Sequence, residues 1–247
     1  MGIYQAGLRA VVRRAMEVAE HRIGAAGELG RPLASPVTDA PPVLLVHGYG
    51  NDSRSMVALS RSLERDGFRP FSIDLPEFGF GDAVADATKV RERVDEIVAQ
   101  TGASRIDLVG HSRGGLVSRT AKQLLDDDGR IGRVVTLSSA NQGVHLGPFD
   151  RIASAVIPEG MHQLRRGAKL IEDLRTTAAG HDLVPVGTIG VDGVLVPASA
   201  AQIPGRAFHA VDEGRRIGPF SKLGHWTILR DDVSYETIRG ALMLPRG

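Results

Sequence analysis

The sequence contains no cysteine and has a net charge of only +1 over 247 residues. Without cysteine the chain can form neither disulfide bonds nor thiolate metal sites, and it gives no indication of its redox compartment. The near-zero net charge gives no electrostatic reason to expect a nucleic acid or another strongly acidic partner. No cluster of acidic residues is suited to hold calcium, so we predict neither a metal nor any other cofactor.

A long hydrophobic run is also missing. No uninterrupted apolar stretch approaches the ~20 residues that a membrane-spanning helix needs, so the composition predicts a soluble protein. Because we recognise no signal peptide, we expect it to be cytoplasmic. Residues 4–22 form an amphipathic helical pattern that charges interrupt too often for a secretory signal. Such a basic helix can make a peripheral contact with an anionic membrane surface. It can also dock on the domain or on a second subunit, which is the interpretation we favour.

The length and composition fit one folded core. A chain of 247 residues with 42% hydrophobic residues suffices for one sizeable α/β core and is too short for two ordinary ones. We therefore divide it into an N-terminal helix and linker, residues 1–40, and one domain, residues 41–247. Apolar runs alternate with helical repeats in this domain, which predicts a mostly parallel sheet with helices on both faces. The predicted strands are 43–46, 69–73, 106–109, 133–137, 184–190 and 207–211, and the predicted helices include 88–100 and 232–244.

The segment Gly110-His-Ser-Arg-Gly114 lies between a predicted buried strand and a predicted helix. Its Gly-x-Ser-x-Gly pattern is typical of a nucleophile elbow, in which a serine stands on a strained strand-to-helix turn. The alternative is a glycine-rich turn whose serine only caps the helix. Because the flanking sequence on both sides fits the elbow, we predict that Ser112 is a nucleophile.

Two further motifs make the chain resemble the α/β-hydrolase family, and within it the small bacterial lipases and esterases. Residues 43–50 look like the lipase strand that ends in His-Gly-x-Gly, and residues 134–143 are similar to the strand and turn after the elbow helix of Bacillus-type lipases. The resemblance covers residues 41–244. It implies an α/β-hydrolase fold and a serine hydrolase that cleaves carboxylic esters of apolar acyl groups, with small-molecule esters or lipids as substrates.

The resemblance also indicates the partners that Ser112 would need as a nucleophile. In this fold they follow in the order Ser, Asp or Glu, His. His225 stands after the last strand and just before the last helix, where family members carry the catalytic base. Asp192, in the turn after the penultimate strand, is the expected acid, although an Asp-Gly pair also signals an ordinary turn. Asp212 and Glu213 are the nearest rivals for the role of the acid.

Two backbone amides match the family's oxyanion-hole donors, those of Tyr49 and Arg113. Each would stabilise the negative charge of a tetrahedral intermediate. The guanidinium of Arg113 could bind an anionic substrate group or form a structural ion pair, and we favour the ion pair. We expect His47 and His111, which lie inside the motifs, to make structural hydrogen bonds.

Residues 144–182 have the apolar spacing of two or three amphipathic helices above the carboxyl ends of the strands. These helices could form a lid or acyl-chain wall, or they could only cover the core, and the sequence favours neither interpretation. An apolar pocket is expected here. The residues predicted to contact the substrate are Tyr49, Phe78, Phe80, Phe149, Ile152, Ile157 and Trp226.

The predicted activity is therefore that of an esterase or lipase with Ser112, Asp192 and His225 as its catalytic triad. An acyltransferase could use the same triad with an alcohol or amine as acceptor. A third interpretation is a hydrolase-like binding protein that has lost activity, but the complete set of motifs argues against it. The sequence does not predict an oligomeric state.

Overall fold

The structure is a computed structural model that describes most of the chain from residue 28 onward. The amphipathic segment 4–22 lies outside the described residues. These are 28–145, 159–177, 180, 182–188, 192, 195, 197–211, 216–217, 221–222 and 224–245.

Six strands form one sheet, with bounds β1 Val43–Val46, β2 Pro70–Ile73, β3 Ile106–His111, β4 Ile131–Leu137, β5 Leu183–Gly187 and β6 His209–Ala210. Their spatial order is β2-β1-β3-β4-β5-β6, and every neighbouring pair is parallel. A short antiparallel pair, β7 Arg216–Ile217 and β8 Ser221–Lys222, follows. All four residues of β1 are apolar and buried, as expected for a strand covered on both faces.

The helices are α1 Val57–Arg65, α2 Ala83–Thr101, α3 Arg113–Leu124, α4 Glu159–His162, α5 Lys169–Thr176 and α6 Asp232–Met243. They cover both faces of the sheet. Leu45 belongs to the core that contains residues of α1 and α6, whereas its neighbour Leu44 belongs to the core with α2, α3 and α5. Successive residues of a strand point to opposite faces, so the sheet has a hydrophobic layer on each side. The predicted α/β-hydrolase fold class is confirmed.

The strand order determines where a site can form. The chain moves outward from β1 to β2 and then returns to the other side of β1 as β3. Crevices outside the carboxyl ends of strands form at such a switch in strand order. Val46 is in register with Gly110, and His111 with Leu137. The His-Gly loop after β1 and the serine turn after β3 therefore lie side by side.

Several element bounds differ from the sequence prediction. Helix α2 begins at Ala83 rather than at residue 88, because the side chain of Asp82 accepts hydrogen bonds from two backbone amides of the first turn and so caps the helix. Strand β5 ends at Gly187 and β6 spans only His209–Ala210. The pairing of β6 is limited to Val186 and Gly187, so the edge strand is shorter than its apolar run predicted.

The described part of the segment 144–182 packs on the sheet. Leu170, Ile171 and Leu174 of α5 are buried in the same core as α2 and α3, which fits a core-covering role for this helix. Val144 bridges to Arg165, so the segment also returns to the chain just after β4. Residues 146–158, which were predicted to form part of a lid, an acyl-chain wall or a cover for the core, lie outside the described residues.

Candidate active site

Ser112 occupies the tight turn between β3 and α3, with φ 54 and ψ −126. A positive φ is costly for a residue with a Cβ atom and is a mark of functional sites. The turn is possible because Gly110 and Gly114, two residues before and two after Ser112, lack side chains. A Cβ atom at Gly110 would lie 2.5 Å from the carbonyl oxygen of Gly114, and one at Gly114 would lie 2.3 Å from that of His47. Ser112 is partly exposed, whereas the residues on either side are buried.

His225 faces the serine. Its Nε2 lies 2.8 Å from Oγ of Ser112, and the histidine itself is only 1% exposed. The loop that carries it is closed by Thr227, whose hydroxyl accepts a hydrogen bond from the amide of Gly224 at 2.9 Å. If Nδ1 carries the ring proton, Nε2 can accept the proton of the serine hydroxyl.

Asp192 lies on the far side of the imidazole. Its Oδ1 is 2.8 Å from Nδ1 of His225, although Nδ1–H does not point along the line between the two atoms. Hydrogen bonds of this kind are often poorly aligned before substrate binds and straighten afterwards. Two further contacts hold Asp192, since Oδ1 accepts the amide of Leu195 and its carbonyl oxygen accepts the amide of His225, both at 2.7 Å. Asp192 therefore forms a turn and faces the histidine at once.

The rivals for the acid, Asp212 and Glu213, lie outside the described residues. Asp74 also ends a strand, but its carboxylate accepts the amide of Ser53 at 2.7 Å. Of these four acids the structure describes two, Asp192, which contacts His225, and Asp74, which contacts the loop after β1.

His47 makes structural hydrogen bonds, as the sequence predicted. Its Nε2 accepts the amide of Leu75 at 2.9 Å, so Nδ1 carries the proton and donates to the carbonyl oxygen of Gly48 at 2.8 Å. Burial lowers the pKa of His47, which keeps the ring neutral. The imidazole thereby joins the loop after β1 to the segment after β2.

The predicted oxyanion loop lies against the elbow. A Cβ atom at Gly48 would be 3.0 Å from Cβ of Ser112, so a larger residue there would require its neighbours to shift by a few tenths of an ångström. The amide of Gly50 is engaged, because it donates to the carbonyl oxygen of Phe78 at 2.8 Å. The amide of Tyr49, between these two glycines, is the predicted donor of this loop.

The side chain of Arg113 forms a buried ion pair. Nη1 donates to Oδ2 of Asp86 at 2.5 Å and Nη2 to the carbonyl oxygen of Gly81 at 2.7 Å, and the two charged residues are 1% and 2% exposed. Burial raises the pKa of Asp86, and the charge of Arg113 opposes that rise. The favoured interpretation of an ion pair is therefore confirmed.

Asp86, the partner of Arg113, was not predicted from the sequence. One signal was available, because Asp86 stands four residues before Val90 and eight before Val94 on the buried stripe of α2. A carboxylate on an apolar helix face needs a partner, although the helix alone does not say which residue supplies it.

The segment after β2 contains three successive residues with left-handed backbone. Glu77, Phe78 and Gly79 have φ values of 49, 58 and 72. The turn is held at both ends, since Leu75 donates to His47 and the carbonyl oxygen of Phe78 accepts the amide of Gly50. This turn therefore holds the predicted oxyanion loop in place at Gly50.

Replacing the exposed Glu77 with glycine is expected to stabilise the protein. The left-handed conformation costs about 1–2 kcal/mol for a residue with a Cβ atom, and the larger entropy of glycine in the unfolded chain offsets about 0.4–1 kcal/mol of that gain. We expect a rise of about 2–4 °C in Tm for each kcal/mol gained, measured by thermal denaturation. Glu77→Ala is the control, since it removes the carboxylate but keeps Cβ. Equal melting temperatures for both variants would contradict the argument from strain.

Aromatic residues lie around the serine and histidine. Phe80 is buried with its ring centroid 4.5 Å from that of Tyr49. Trp226 is half-buried and stands edge-on to His225 at 5.0 Å and 88°, and Phe78 is also half-buried. The substrate contacts of these four aromatic residues remain predictions. The other three predicted contacts, Phe149, Ile152 and Ile157, lie outside the described residues.

Helix α4 and Gln163, the residue after it, contact the start of α2 and the segment just before it. A Cβ atom at Gly160 would lie 2.4 Å from the carbonyl oxygen of Gly81, so α4 approaches the backbone that Arg113 also contacts. Gln163 accepts the amide of Ala83 at 2.6 Å and donates to the carboxylate of Asp82 at 2.5 Å. These contacts fasten the described part of the segment 144–182 to the start of α2.

Within the described part of the chain, no group of three or more His, Asp or Glu side chains is placed to hold a metal ion. The described helices likewise include none that is long and apolar enough to cross a membrane.

Comparison with known families agrees with the fold. A family model described as the alpha/beta hydrolase fold matches residues 41–187, well over half of the chain. The chain therefore belongs to the alpha/beta hydrolase family.

Among curated proteins the chain is similar to two triacylglycerol lipases. Both are 28% identical to it over 131 residues, or 49% of this chain. The alignment covers 39% of the lipase of Pseudarthrobacter phenanthrenivorans and 35% of that of Burkholderia plantarii. The similarity thus spans less than half the length of either relative.

Similarity to solved structures extends further along the chain. The mature lipase BlEst2 of Bacillus licheniformis aligns with 87% of this chain and 97% of its own, with a TM-score of 0.63 and 17% identity. Lipase B of Aspergillus fumigatus aligns with 83% of this chain and 54% of its own, with a TM-score of 0.65 and 17% identity. Phospholipase PlaB of Legionella pneumophila aligns with 84% of this chain and 60% of its own, with a TM-score of 0.63 and 15% identity. At these identities the likeness is one of fold.

Proposed function

We propose that the protein is a serine hydrolase that cleaves carboxylic esters, with Ser112 as nucleophile, His225 as general base and Asp192 as the orienting acid. The observation that carries the proposal is the contact of Nε2 of His225 with Oγ of Ser112 at 2.8 Å. It is supported by the carboxylate of Asp192 at the other ring nitrogen, also at 2.8 Å. A nucleophile, its base and an acid in contact are the arrangement that acyl transfer requires.

In the proposed reaction, His225 takes the hydroxyl proton as Oγ of Ser112 attacks the ester carbonyl carbon. The carbonyl oxygen becomes an oxyanion, which accepts hydrogen bonds from the amides of Tyr49 and Arg113. When the tetrahedral intermediate collapses, the bond to the alcohol oxygen breaks and His225 gives its proton to the departing alcohol. Water, deprotonated by His225, then attacks the acyl-enzyme, and the acid is released as His225 returns that proton to Oγ of Ser112.

The substrates that we propose are small-molecule or lipid esters with apolar acyl groups. An alkyl chain needs an apolar surface that shields it from water. The half-buried ring of Trp226 beside His225 and the aromatic pair Tyr49 and Phe80 can provide such a surface. The similar proteins named as lipases favour the same class of substrate.

A panel of p-nitrophenyl esters of increasing acyl length tests this proposal. We expect Ser112-dependent release of p-nitrophenol, with kcat/KM higher for a medium-length acyl group than for acetate. The gain should be about 10- to 200-fold at most for each methylene group that the pocket accommodates. The matched control is a series of p-nitrophenyl alkyl ethers of the same chain lengths, which have no acyl carbonyl group and should not react. A folded protein that hydrolyses none of the carboxylic esters would refute the proposed activity.

A further inference from the structure

His111, the residue just before the proposed nucleophile, contacts the proposed base. The side chain is fully buried, and its Nε2 lies 2.8 Å from the backbone carbonyl oxygen of His225. Because a carbonyl oxygen only accepts, Nε2 must carry the proton of the neutral ring. Nδ1 then has no proton, and within the described part of the chain no donor reaches it. The contact with His225 is therefore the polar interaction that accounts for a histidine at this position.

His111 stays neutral over the pH range in which a hydrolase of this kind works. Burial lowers the pKa of His111 to about 3, and the neighbouring His225 contributes to the decrease. The other facing groups are Asp192, which raises this pKa, and His47, which lowers it. A neutral ring keeps its Nε2–H donor, and it adds no positive charge next to His225 when that residue becomes an imidazolium.

Together with Asp192, His111 holds the main chain of His225 on both sides. The amide of His225 donates to the carbonyl oxygen of Asp192 at 2.7 Å, and its carbonyl oxygen accepts from His111. The two histidine rings are also in contact, with centroids 4.9 Å apart. Because His111 ends β3 directly before Ser112, the strand that sets the position of the nucleophile also sets that of the base.

We propose that His111 is a positioning residue that fixes the distance between Nε2 of His225 and Oγ of Ser112. The inference rests on the proposed function, since it assigns those two atoms to the proton transfer. Displacement of a catalytic group by about 1 Å can lower the rate about 100-fold. Losing the donor at Nε2 should therefore lower kcat and leave substrate binding unchanged.

Two amide substitutions separate positioning from packing. In His111→Gln the side-chain nitrogen can reach the place of Nε2 and donate to His225. The shorter side chain of His111→Asn ends near the place of Nδ1 and leaves that carbonyl oxygen without a donor. Both variants bury an amide and lose part of the ring, so both should melt at lower temperature than the wild type.

The experiment measures kcat and KM for p-nitrophenyl acetate, the rate of labelling by a fluorophosphonate, and Tm. We expect His111→Asn to lower kcat and the labelling rate by about 10- to 100-fold with KM within about twofold of wild type. His111→Gln should stay within about threefold of wild type. If His111→Asn does not fold, His111→Leu replaces it, since it lacks the donor and buries no polar group.

The outcomes are distinguishable. An unchanged kcat in the variants without a donor overturns the positioning role, as does an equal loss in His111→Gln and His111→Asn, which would indicate packing alone. A wild-type protein that is folded but neither hydrolyses the ester nor reacts with the fluorophosphonate overturns the proposed function itself, and the positioning role with it.

Discussion

Replacement of Ser112 with alanine is expected to lower kcat for ester hydrolysis by about a million-fold, as loss of the serine does in a comparable triad hydrolase. Without Oγ no acyl-enzyme can form, and His225 has no hydroxyl group to deprotonate. The variant should keep its fold, because alanine removes one partly exposed oxygen atom. The strained backbone at φ 54 stays the same, since alanine also has a Cβ atom.

The measurement is p-nitrophenyl ester turnover, with circular dichroism as the test of folding. Ser118→Ala is the matched control, because Ser118 is a buried serine of α3, the helix that follows Ser112, and its Oγ donates to the carbonyl oxygen of Gly114 at 2.8 Å. Its activity should stay close to wild type. Turnover retained by Ser112→Ala with an unchanged spectrum would remove Ser112 from the mechanism.

The second large effect is expected at Asp192. Asparagine cannot offer His225 the negative charge that stabilises the imidazolium, and it favours the wrong tautomer of the ring. In a comparable triad this change lowers kcat about ten-thousand-fold, and we expect a loss of several powers of ten here with little change in KM. The turn should survive, because the side-chain oxygen of asparagine can still accept the amide of Leu195.

The rival acids provide the comparison for this prediction. Asp212→Asn and Glu213→Gln should leave kcat within a few-fold of wild type, whereas Asp192→Asn should not. If one of the rivals causes the large loss and Asp192→Asn does not, the acid of the triad has been misassigned. Melting curves of all three variants would separate a loss of catalysis from a loss of folding.

Features that depend on local sequence were predictable. The apolar run of β1, the glycine that ends α2 at Gly102 with φ 69 and the glycines around Ser112 each follow from the residues at that position. The order of elements along the chain then indicated a parallel sheet, since repeated strand-helix units of this length pack in few ways. The meeting of Ser112, Asp192 and His225 followed from the family resemblance rather than from spacing.

Features that depend on contacts between distant segments were not predictable in the same way. The earlier start of α2 depends on Asp82, a polar residue outside the apolar repeat, whose carboxylate also contacts Gln163. The contact between His111 and the main chain of His225 joins residues 114 positions apart, and no local pattern marks it. The left-handed backbone at Glu77 is likewise set by its surroundings, because that sequence position holds no glycine.

The most direct test of the account is to label the folded protein with a fluorophosphonate and to locate the adduct by mass spectrometry of its peptides. We expect a single adduct on Ser112, formed in the wild type, absent in Ser112→Ala and formed far more slowly in His225→Ala. An adduct on another residue, or ester hydrolysis by a protein whose Ser112 stays unlabelled, would contradict it.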